Sequence, residues 1–412
     1  MRPLDLEKES FSEKEKRNIG ILEILRKRGP VSRPDISKEM GINVVTISNY
    51  VDDLIKHNLV YEKELDISVG GRRPVLLDLN AAGGYIMGIG LNLTNMVGLL
   101  VDLKGNIVHK TQVDCPKVAV SEVIETLLNI IRELIRRSKD YTKDIKGIGV
   151  GIAGIVDKKE GSVRWPERVN HSNTNYVSVN VPLKDLIEKE FGIAATIEND
   201  ATSACFGEHW LQLDPHYKDI IFMFSGVGCG IIINGEVYLG SRGCAGEPSV
   251  HNYKEKEILN CQVSNACLLR RWDTDLGIVD DLKASLERDK EKAARFFKLT
   301  SSNIANVDLK SVFIAGRAKE ELAIQALDRA AQALGIKIAF LVNLLNPEVV
   351  VVGGGFEEAG EEFLSRVNST VREWAFREAT DDLKIIYSQL RENAVALGAA
   401  SLVMQKLFAQ LW

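Results

Sequence analysis

The sequence contains no apolar run of the roughly 20 residues that a membrane-spanning helix requires. Its opening stretch, MRPLDLEKESFSEKEK, also lacks the apolar core of a secretory signal. A cytoplasmic location is expected, with no membrane partner. Cysteine is scarce: Cys115, Cys205, Cys229, Cys244, Cys261 and Cys267 are the only six in 412 residues. That is too few for a disulfide scaffold and fits free thiols or metal ligands in a reducing compartment. An excess of charge of one sign is also missing. Against 57 Asp and Glu stand 52 Lys and Arg, a formal net charge of −5, so the chain as a whole is not coated for nucleic acid. What is present is ordinary globular material, 45% hydrophobic and 26% charged, which excludes intrinsic disorder and collagen-like repeats. At about 150 residues per domain the length leaves room for two or three.

The first eighty residues carry 14 basic and 14 acidic side chains. Within them Arg26, Lys27, Arg28, Arg33 and Lys38 meet only Asp35 between positions 26 and 38, a local charge of +4 that suits a phosphate-facing surface. Apolar residues at Ile19, Ile21, Leu22, Ile24 and Leu25 recur at helical spacing between Lys16 and Arg28, and Gly29-Pro30 stops the run. A short second helix is expected over PDISKEM, with Pro34 at its start and Gly41 as its breaker. Asn43 can cap a third helix running through Val44, Ile47, Val51, Leu54 and Ile55, with Thr46, Ser48, Asn49 and Tyr50 pointing elsewhere. Strands follow at Leu59 to Glu64 and Val75 to Leu79, joined by a turn with Gly70, Gly71, Arg72 and Arg73. The order is that of a winged helix-turn-helix. Its DNA-contacting candidates are Arg33, Thr46, Ser48 and Asn49, with Arg72 and Arg73 on the wing. Three amphipathic helices can also form a small bundle without binding DNA.

From Tyr85 onward, apolar runs such as YIMGIGL, VGLLVDL and KGIGVGIAGIV alternate with helical stretches, first Val120 to Arg137 and later Ala323 to Leu345. This is the pattern of an α/β fold. Several strands end in glycines, which let backbone amides approach a ligand or simply make tight connections. The motifs AGIVD with Gly161, ENDATSACFGE, SGVGCGI, NGEVYLGSRGCAGE, LLNPEVVVVGGG and ALGAA follow one another along nearly the whole chain. In that order they resemble the ROK family of repressors and sugar kinases. The resemblance implies a two-lobed, actin-like ATPase fold behind the winged helix. Expected boundaries are 1–80 for the DNA-binding domain, 81–198 plus a C-terminal helix at about 392–412 for the small lobe, and 199–391 for the large lobe.

The resemblance also implies a sugar site at Asn175, Asn199, Asp200 and Glu247. Asp200 stands where kinase members hold their general base, so it is catalytic only if kinase activity survives. As a bare carboxylate it can equally accept a hydrogen bond from a sugar hydroxyl, and Asn199 or Asp200 can simply cap the following helix. The family's sugar-lining Trp is Ser178 here, and a further sugar-contacting Glu is Leu269. The first phosphate hairpin, D-x-G-G-T in kinase members, reads Gly90-Leu91-Asn92-Leu93-Thr94. Its acid and both glycines are gone, which opposes Mg-ATP chemistry. Ser225, Gly226 and Gly228, with Gly353, Gly354 and Gly355, remain as candidate nucleotide contacts. The zinc register holds Val250, Asn260, Gln262 and Cys267, one ligand of four; a shifted set of His251, Cys261 and Cys267 lacks a fourth. Neither zinc nor Mg-ATP is therefore expected as a cofactor. These residues together predict a sugar-responsive regulator, more in the manner of a repressor, acting as a homodimer or homotetramer on a palindromic operator. An active sugar kinase with an attached DNA-binding domain and a regulator governed by a protein partner are the alternatives.

Overall fold

The computed structural model describes residues 11–63, 75–92, 95–114, 120–139, 144–167, 177–225, 228–248 and 277–410. Helix α1 (Glu13–Arg28) starts at a reciprocal cap: the Ser12 hydroxyl accepts the Glu15 N–H, and the Glu15 carboxylate accepts the Ser12 N–H. Strand β1 (Val31–Ser32) leads into α2 (Arg33–Met40), which Ser32 caps and Gly41 ends in the left-handed conformation. Helix α3 (Val44–Lys56) is capped by Asn43, whose side chain accepts the Thr46 N–H at 2.9 Å. Strands β2 (Val60–Lys63) and β3 (Leu76–Leu79) pair antiparallel, and β1 lies on the other edge of β3. Ile21, Leu22, Leu25, Ile36, Ile47, Val51, Leu54 and Leu77 close the core between the helices and this sheet. Each contributes about 1.5–3 kcal/mol of burial.

Two larger sheets repeat one plan. In the first, β4 (Tyr85–Leu91) runs into the antiparallel strands β5 (Asn95–Asp102) and β6 (Ile107–Asp114). Helix α4 (Val120–Arg137) crosses back, and β7 (Ile145–Ile152) joins β4 in parallel. A small antiparallel sheet of β8 (Ile155–Asp157), β9 (Ser162–Glu167) and β10 (Val177–Val181) precedes α5 (Leu183–Phe191). The parallel strand β11 (Ala195–Asn199) then completes the order β11-β7-β4-β5-β6. After α6 (Asp200–Leu211) the pattern recurs. Strand β12 (Ile220–Phe224) leads to antiparallel β13 (Gly228–Ile233) and β14 (Glu236–Val237). Helices α7 (Ile278–Arg288), α8 (Lys290–Thr300), α9 (Leu309–Arg317) and α10 (Glu321–Leu345) follow, then parallel β15 (Val349–Gly353). Helices α11 (Glu361–Trp374) and α12 (Arg377–Thr380) lead to β16 (Lys384–Tyr387), giving the order β14-β13-β12-β15-β16.

The last helix, α13 (Ala394–Ala409), reads AVALGAASLVMQKLFA. A helix apolar on nearly every side must be covered on every side. It packs on β4, β7 and β5 of the first sheet and along α6, while α6 packs on β12 and β13 of the second. The two helices are therefore the layer shared by both lobes. The N-terminal unit joins the same core, because α1 packs on α13. Asn18 of α1, itself buried, donates to the Ala409 carbonyl at 3.3 Å, and Lys104 reaches the buried Asp78 of β3 at 2.9 Å.

The charge expected over residues 26–38 is not left free by folding. Arg26 forms two bonds to Glu23, each 2.8 Å, Arg28 pairs with Glu39, and Arg33 holds Asp52 and Glu62 at 3.0 Å each. Counting charges along the chain cannot see these partners, because Glu23, Glu39, Asp52 and Glu62 all lie outside the counted window.

Candidate functional site

Three backbone segments meet at the amino end of α6. Asn199 is its cap: Oδ1 accepts the Thr202 N–H at 3.1 Å, and Nδ2 donates to the Gly154 carbonyl at 3.3 Å. Much of its hydrogen-bonding capacity is thus engaged in joining α6 to the turn between β7 and β8. Asp200, the first helical residue, accepts its neighbour's N–H (Ala201, 2.8 Å) and is partly buried. Glu247 comes from the third segment, which is fixed where the Cys229 N–H bonds the Gly246 carbonyl at 2.7 Å. Gly228 sits between them, its missing side chain directed toward Ala201 and Gly246.

Burial raises both carboxyls, and the Asp200 charge adds to the rise at Glu247. Desolvation pushes Asp200 up to about 6, against the favourable amino end of the helix. Glu247 is pushed up to about 7, by desolvation first and then by the Asp200 charge, although solvent reaches its side chain. Near neutral pH Glu247 therefore holds a fraction of a proton, while Asp200 is mostly ionised. Such a pair can accept hydrogen bonds from hydroxyls, donate one, or take a proton from an attacking hydroxyl. Behind it, Glu198 is buried, pairs with Lys158 at 2.5 Å and accepts the Asn199 N–H at 2.9 Å, which stiffens the strand end that presents Asp200. Lys158 carried no signal in the sequence beyond its place after AGIVD. Asn175, Gly226 and all the zinc-register positions lie outside the described residues.

The candidate nucleotide turns are tied to one another. The Ser225 hydroxyl donates to the Gly354 carbonyl at 2.8 Å, and the Ser225 N–H bonds the Gly353 carbonyl at 3.2 Å. Gly354 has φ +72°, and a side chain there would lie 2.5 Å from the Ser225 hydroxyl, so only glycine fits. The Gly355 N–H bonds the Glu357 carboxylate at 2.8 Å. Position 90 is closed. A Cβ on Gly90 would stand 2.5 Å from the Ala396 nitrogen and 2.8 Å from the Val395 Cβ. Asn92 of the same hairpin donates to the Glu392 carbonyl at 2.9 Å and to Asn95 at 2.7 Å, fastening the hairpin to the start of α13.

On the N-terminal unit, Asn49 is exposed and Thr46 and Ser48 are partly buried, with the Ser48 hydroxyl turned back to the Val44 carbonyl at 2.9 Å. Tyr50 packs against the core. Val45, 73% exposed in the first turn of α3, is a surface residue that apolar periodicity assigns inward or overlooks. Arg33 is engaged in its two ion pairs. The turn carrying Arg72 and Arg73 lies outside the described residues.

A link connects this unit to the cleft. The buried guanidinium of Arg26 donates to the Trp210 carbonyl at 2.5 Å and stands 5.6 Å from the centre of the Trp210 ring. Trp210 lies at the far end of the same helix that begins with Asp200.

The ROK family model matches residues 86–406, and the chain belongs to the ROK family. It is 30% identical over 392 residues to a protein named putative xylose repressor from Caldicellulosiruptor sp. (strain Rt8B.4), covering 94% of this chain and 95% of that one. It is 29% identical over 385 residues to the xylose repressor of Caldicellulosiruptor bescii, covering 92% and 93%. In fold it is similar to a ROK family transcriptional regulator described as a homolog of the E. coli MLC protein. That likeness has a TM-score of 0.69 at 23% identity and covers 96% of this chain and 97% of that one. Among the described residues, no helix is long and apolar enough to cross a membrane.

Proposed function

We propose that this protein is a transcriptional repressor that binds operator DNA through its winged helix and releases it when an aldopentose, xylose first of all, occupies the cleft at Asp200 and Glu247. The carrying observation is the course of α6. It runs from the paired carboxyls at one end to the Arg26 contact with the winged helix at the other, a distance of roughly 15 Å at 1.5 Å per residue. The relatives' names support xylose. So do the absences of the hexose-site Trp and Glu at Ser178 and Leu269. Two copies act on an operator of inverted half-sites, since one winged helix reads too few base pairs to find a unique site.

Phosphoryl transfer is not part of this reading. A carboxylate at position 90 has no room beside Ala396, and the Asn92 bond to Glu392 occupies the hairpin that would cradle phosphate. Neither zinc nor Mg-ATP is needed as a cofactor.

The test uses fluorescence anisotropy on a DNA duplex selected from a random pool, titrated with xylose, glucose and N-acetylglucosamine. Xylose should release the DNA, and Asp200→Asn should bind DNA normally and ignore xylose. ADP formation that requires Asp200 at about 1 per second or faster, a typical kinase rate, would replace this reading with an active kinase.

A further inference from the structure

Helix α3 opens on two valines that the fold does not bury. Val44 is 41% exposed and Val45 73%, the highest of any large apolar side chain among the described residues. Nothing local asks for valine there. A branched side chain loses rotamer freedom in a helix, and the first turn of a helix is stabilised by an acid, which α3 lacks. The other side chains of the helix are already committed. Ile47 and Val51 are buried, Tyr50 packs against the core, Thr46 is partly buried, and the Ser48 hydroxyl donates to the Val44 carbonyl at 2.9 Å. What projects furthest from the amino half of α3 is Val45 and, one turn on, the exposed Asn49. Asp52 continues the same face, but Arg33 holds its carboxylate at 3.0 Å, so its charge is already compensated.

We propose that Val45 reads sequence: in the major groove it packs against the methyl group of a thymine, close to the base pair that Asn49 contacts. This rests on the DNA-binding function proposed above. The chemistry leaves one occupant for the valine. Of the groups that base pairs present in the major groove, the thymine methyl is the apolar one, and the rest are hydrogen-bond donors and acceptors that a valine cannot use. An asparagine, by contrast, suits a bidentate contact with adenine. Side chains one turn apart on a helix have Cβ atoms about 5–6 Å apart, against about 3.4 Å per base step, so the two residues reach bases one or two pairs apart. Each half-site should therefore hold a thymine and an adenine at that separation. The missing acid has the same explanation, because a carboxylate in the first turn would face the backbone phosphates. A single exposed valine is common on any protein surface. Its position decides here, since the amino-terminal residues of the recognition helix are those that meet base edges in a helix-turn-helix.

The experiment uses the full-length protein and the duplex selected from a random pool, with each thymine of one half-site replaced in turn by deoxyuridine, which removes the methyl and nothing else. Binding is read by fluorescence anisotropy. At one position the replacement should weaken wild-type binding about fourfold, the worth of one methyl group taken out of water. Cytosine at that position should cost at least as much, and 5-methylcytosine, which puts the methyl back in the same place, should recover part of the loss. In Val45→Ser the deoxyuridine penalty at that position should vanish, whereas Asn49→Ala should keep it and lose discrimination at the neighbouring pair instead. Because Val45 is exposed, Val45→Ser should melt as the wild type does, so a lost penalty cannot be assigned to misfolding. Specific binding in which no thymine methyl matters to the wild type, or in which the penalty survives Val45→Ser, overturns this proposal and leaves the DNA-binding function standing. A protein that selects no sequence from the pool overturns both.

Discussion

The contact between Arg26 and Trp210 offers the most direct way to break communication without touching either binding site. The Arg26 side chain is nearly inaccessible and makes three bonds: two to Glu23, itself mostly buried, and one to the Trp210 carbonyl, with the indole ring against its face. Truncation to alanine leaves Glu23 with Lys27 alone, at 3.7 Å, and leaves the Trp210 carbonyl without that donor. Removing one partner of a fully buried ion pair costs about 3–5 kcal/mol. Lys27 keeps part of the Glu23 charge compensated, so Arg26→Ala should cost about 2–4 kcal/mol. The variant Arg26→Lys should recover less than half of this, because an ammonium cannot hold Glu23 through two parallel bonds and reach the carbonyl as well. Stability is read by chemical denaturation followed by tryptophan fluorescence and in the far-UV. A double-mutant cycle with Glu23→Ala should give a coupling of about 1–3 kcal/mol. Functionally, Arg26→Ala should bind the selected operator within a few-fold of wild type and bind xylose normally, yet need much more xylose to release DNA. A loss below about 0.5 kcal/mol, the level of an indifferent surface change, together with an unchanged xylose dose response, would refute the argument that α6 is tied to the winged helix here.

Other outcomes follow from the same geometry. Because Asp200 is held up to about 6, a bound sugar hydroxyl that needs the ionised form should bind more tightly as pH rises, by up to about tenfold per unit below 6 and little above it; titration calorimetry between pH 5 and 8 reads this. The same shift makes the folded state retain a proton that the unfolded chain loses, so this carboxyl's contribution to stability falls as pH rises from about 4 to about 6. Gly90→Asp should not restore kinase activity and should destabilise the protein by more than the roughly 1–3 kcal/mol of ordinary overpacking, since the new side chain meets the backbone of Ala396 and brings a charge; a normal melting curve with new ADP release would count against it. Asn49→Ala should relax discrimination at particular base pairs by about 1–3 kcal/mol, scored by binding-site selection, whereas Arg33→Ala should act mainly on stability, because its guanidinium already holds Asp52 and Glu62. Elemental analysis of dialysed protein should find no stoichiometric zinc, and near one per chain would establish the shifted His251, Cys261 and Cys267 set.

Local signals in the sequence marked the elements well. The breakers Gly29 and Gly41 stand where α1 and α2 end, Asn43 caps α3, and the expected strands differ from β2 and β3 by a residue or two at their ends. These features depend on neighbours along the chain. What was hidden depends on partners far away in it. Arg26 read as a phosphate-facing charge, and one of its partners, the Trp210 carbonyl, is 184 residues distant. The loss of the acid at Gly90 was visible, whereas the reason no acid fits there, the backbone of Ala396, lies 306 positions away. At the cleft, ENDA and AGE gave the residue types. That Asn199 would be engaged as a cap and as an anchor for Gly154 depended on how β7 and β11 align. The exposure of Phe340 and Leu344 was hidden for another reason: IAFLVNLL reads as core throughout, and periodicity cannot say which side of an all-apolar helix folding leaves bare.

The shared layer of α6 and α13 also constrains how a sugar can act. A ligand shifts an equilibrium only by the difference in its affinity for the two states. On the proposed function, a sugar in the cleft must therefore prefer one arrangement of the lobes, and that arrangement must disfavour DNA. Asp200, Asn199 and Gly154 join the helix to the first lobe, while Gly228 and Gly246 bring the second lobe to the same point. On that reading, closure around a small polyol acts on the amino end of α6, a helix of twelve residues that ends beside Trp210 and so can carry the displacement there. Arg26 transfers it to α1, and the Asn18 bond to Ala409 adds the movement of α13. In the proposed two-copy complex on inverted half-sites, such a displacement changes the separation of the two recognition helices, which must match about one helical turn of DNA or a multiple of it. An operator series with half-site spacing altered one base pair at a time is the corresponding test. The xylose-bound protein should regain affinity at a spacing other than the one preferred without sugar. Uniform loss of affinity at every spacing would mean that the sugar acts within each winged helix rather than between the two.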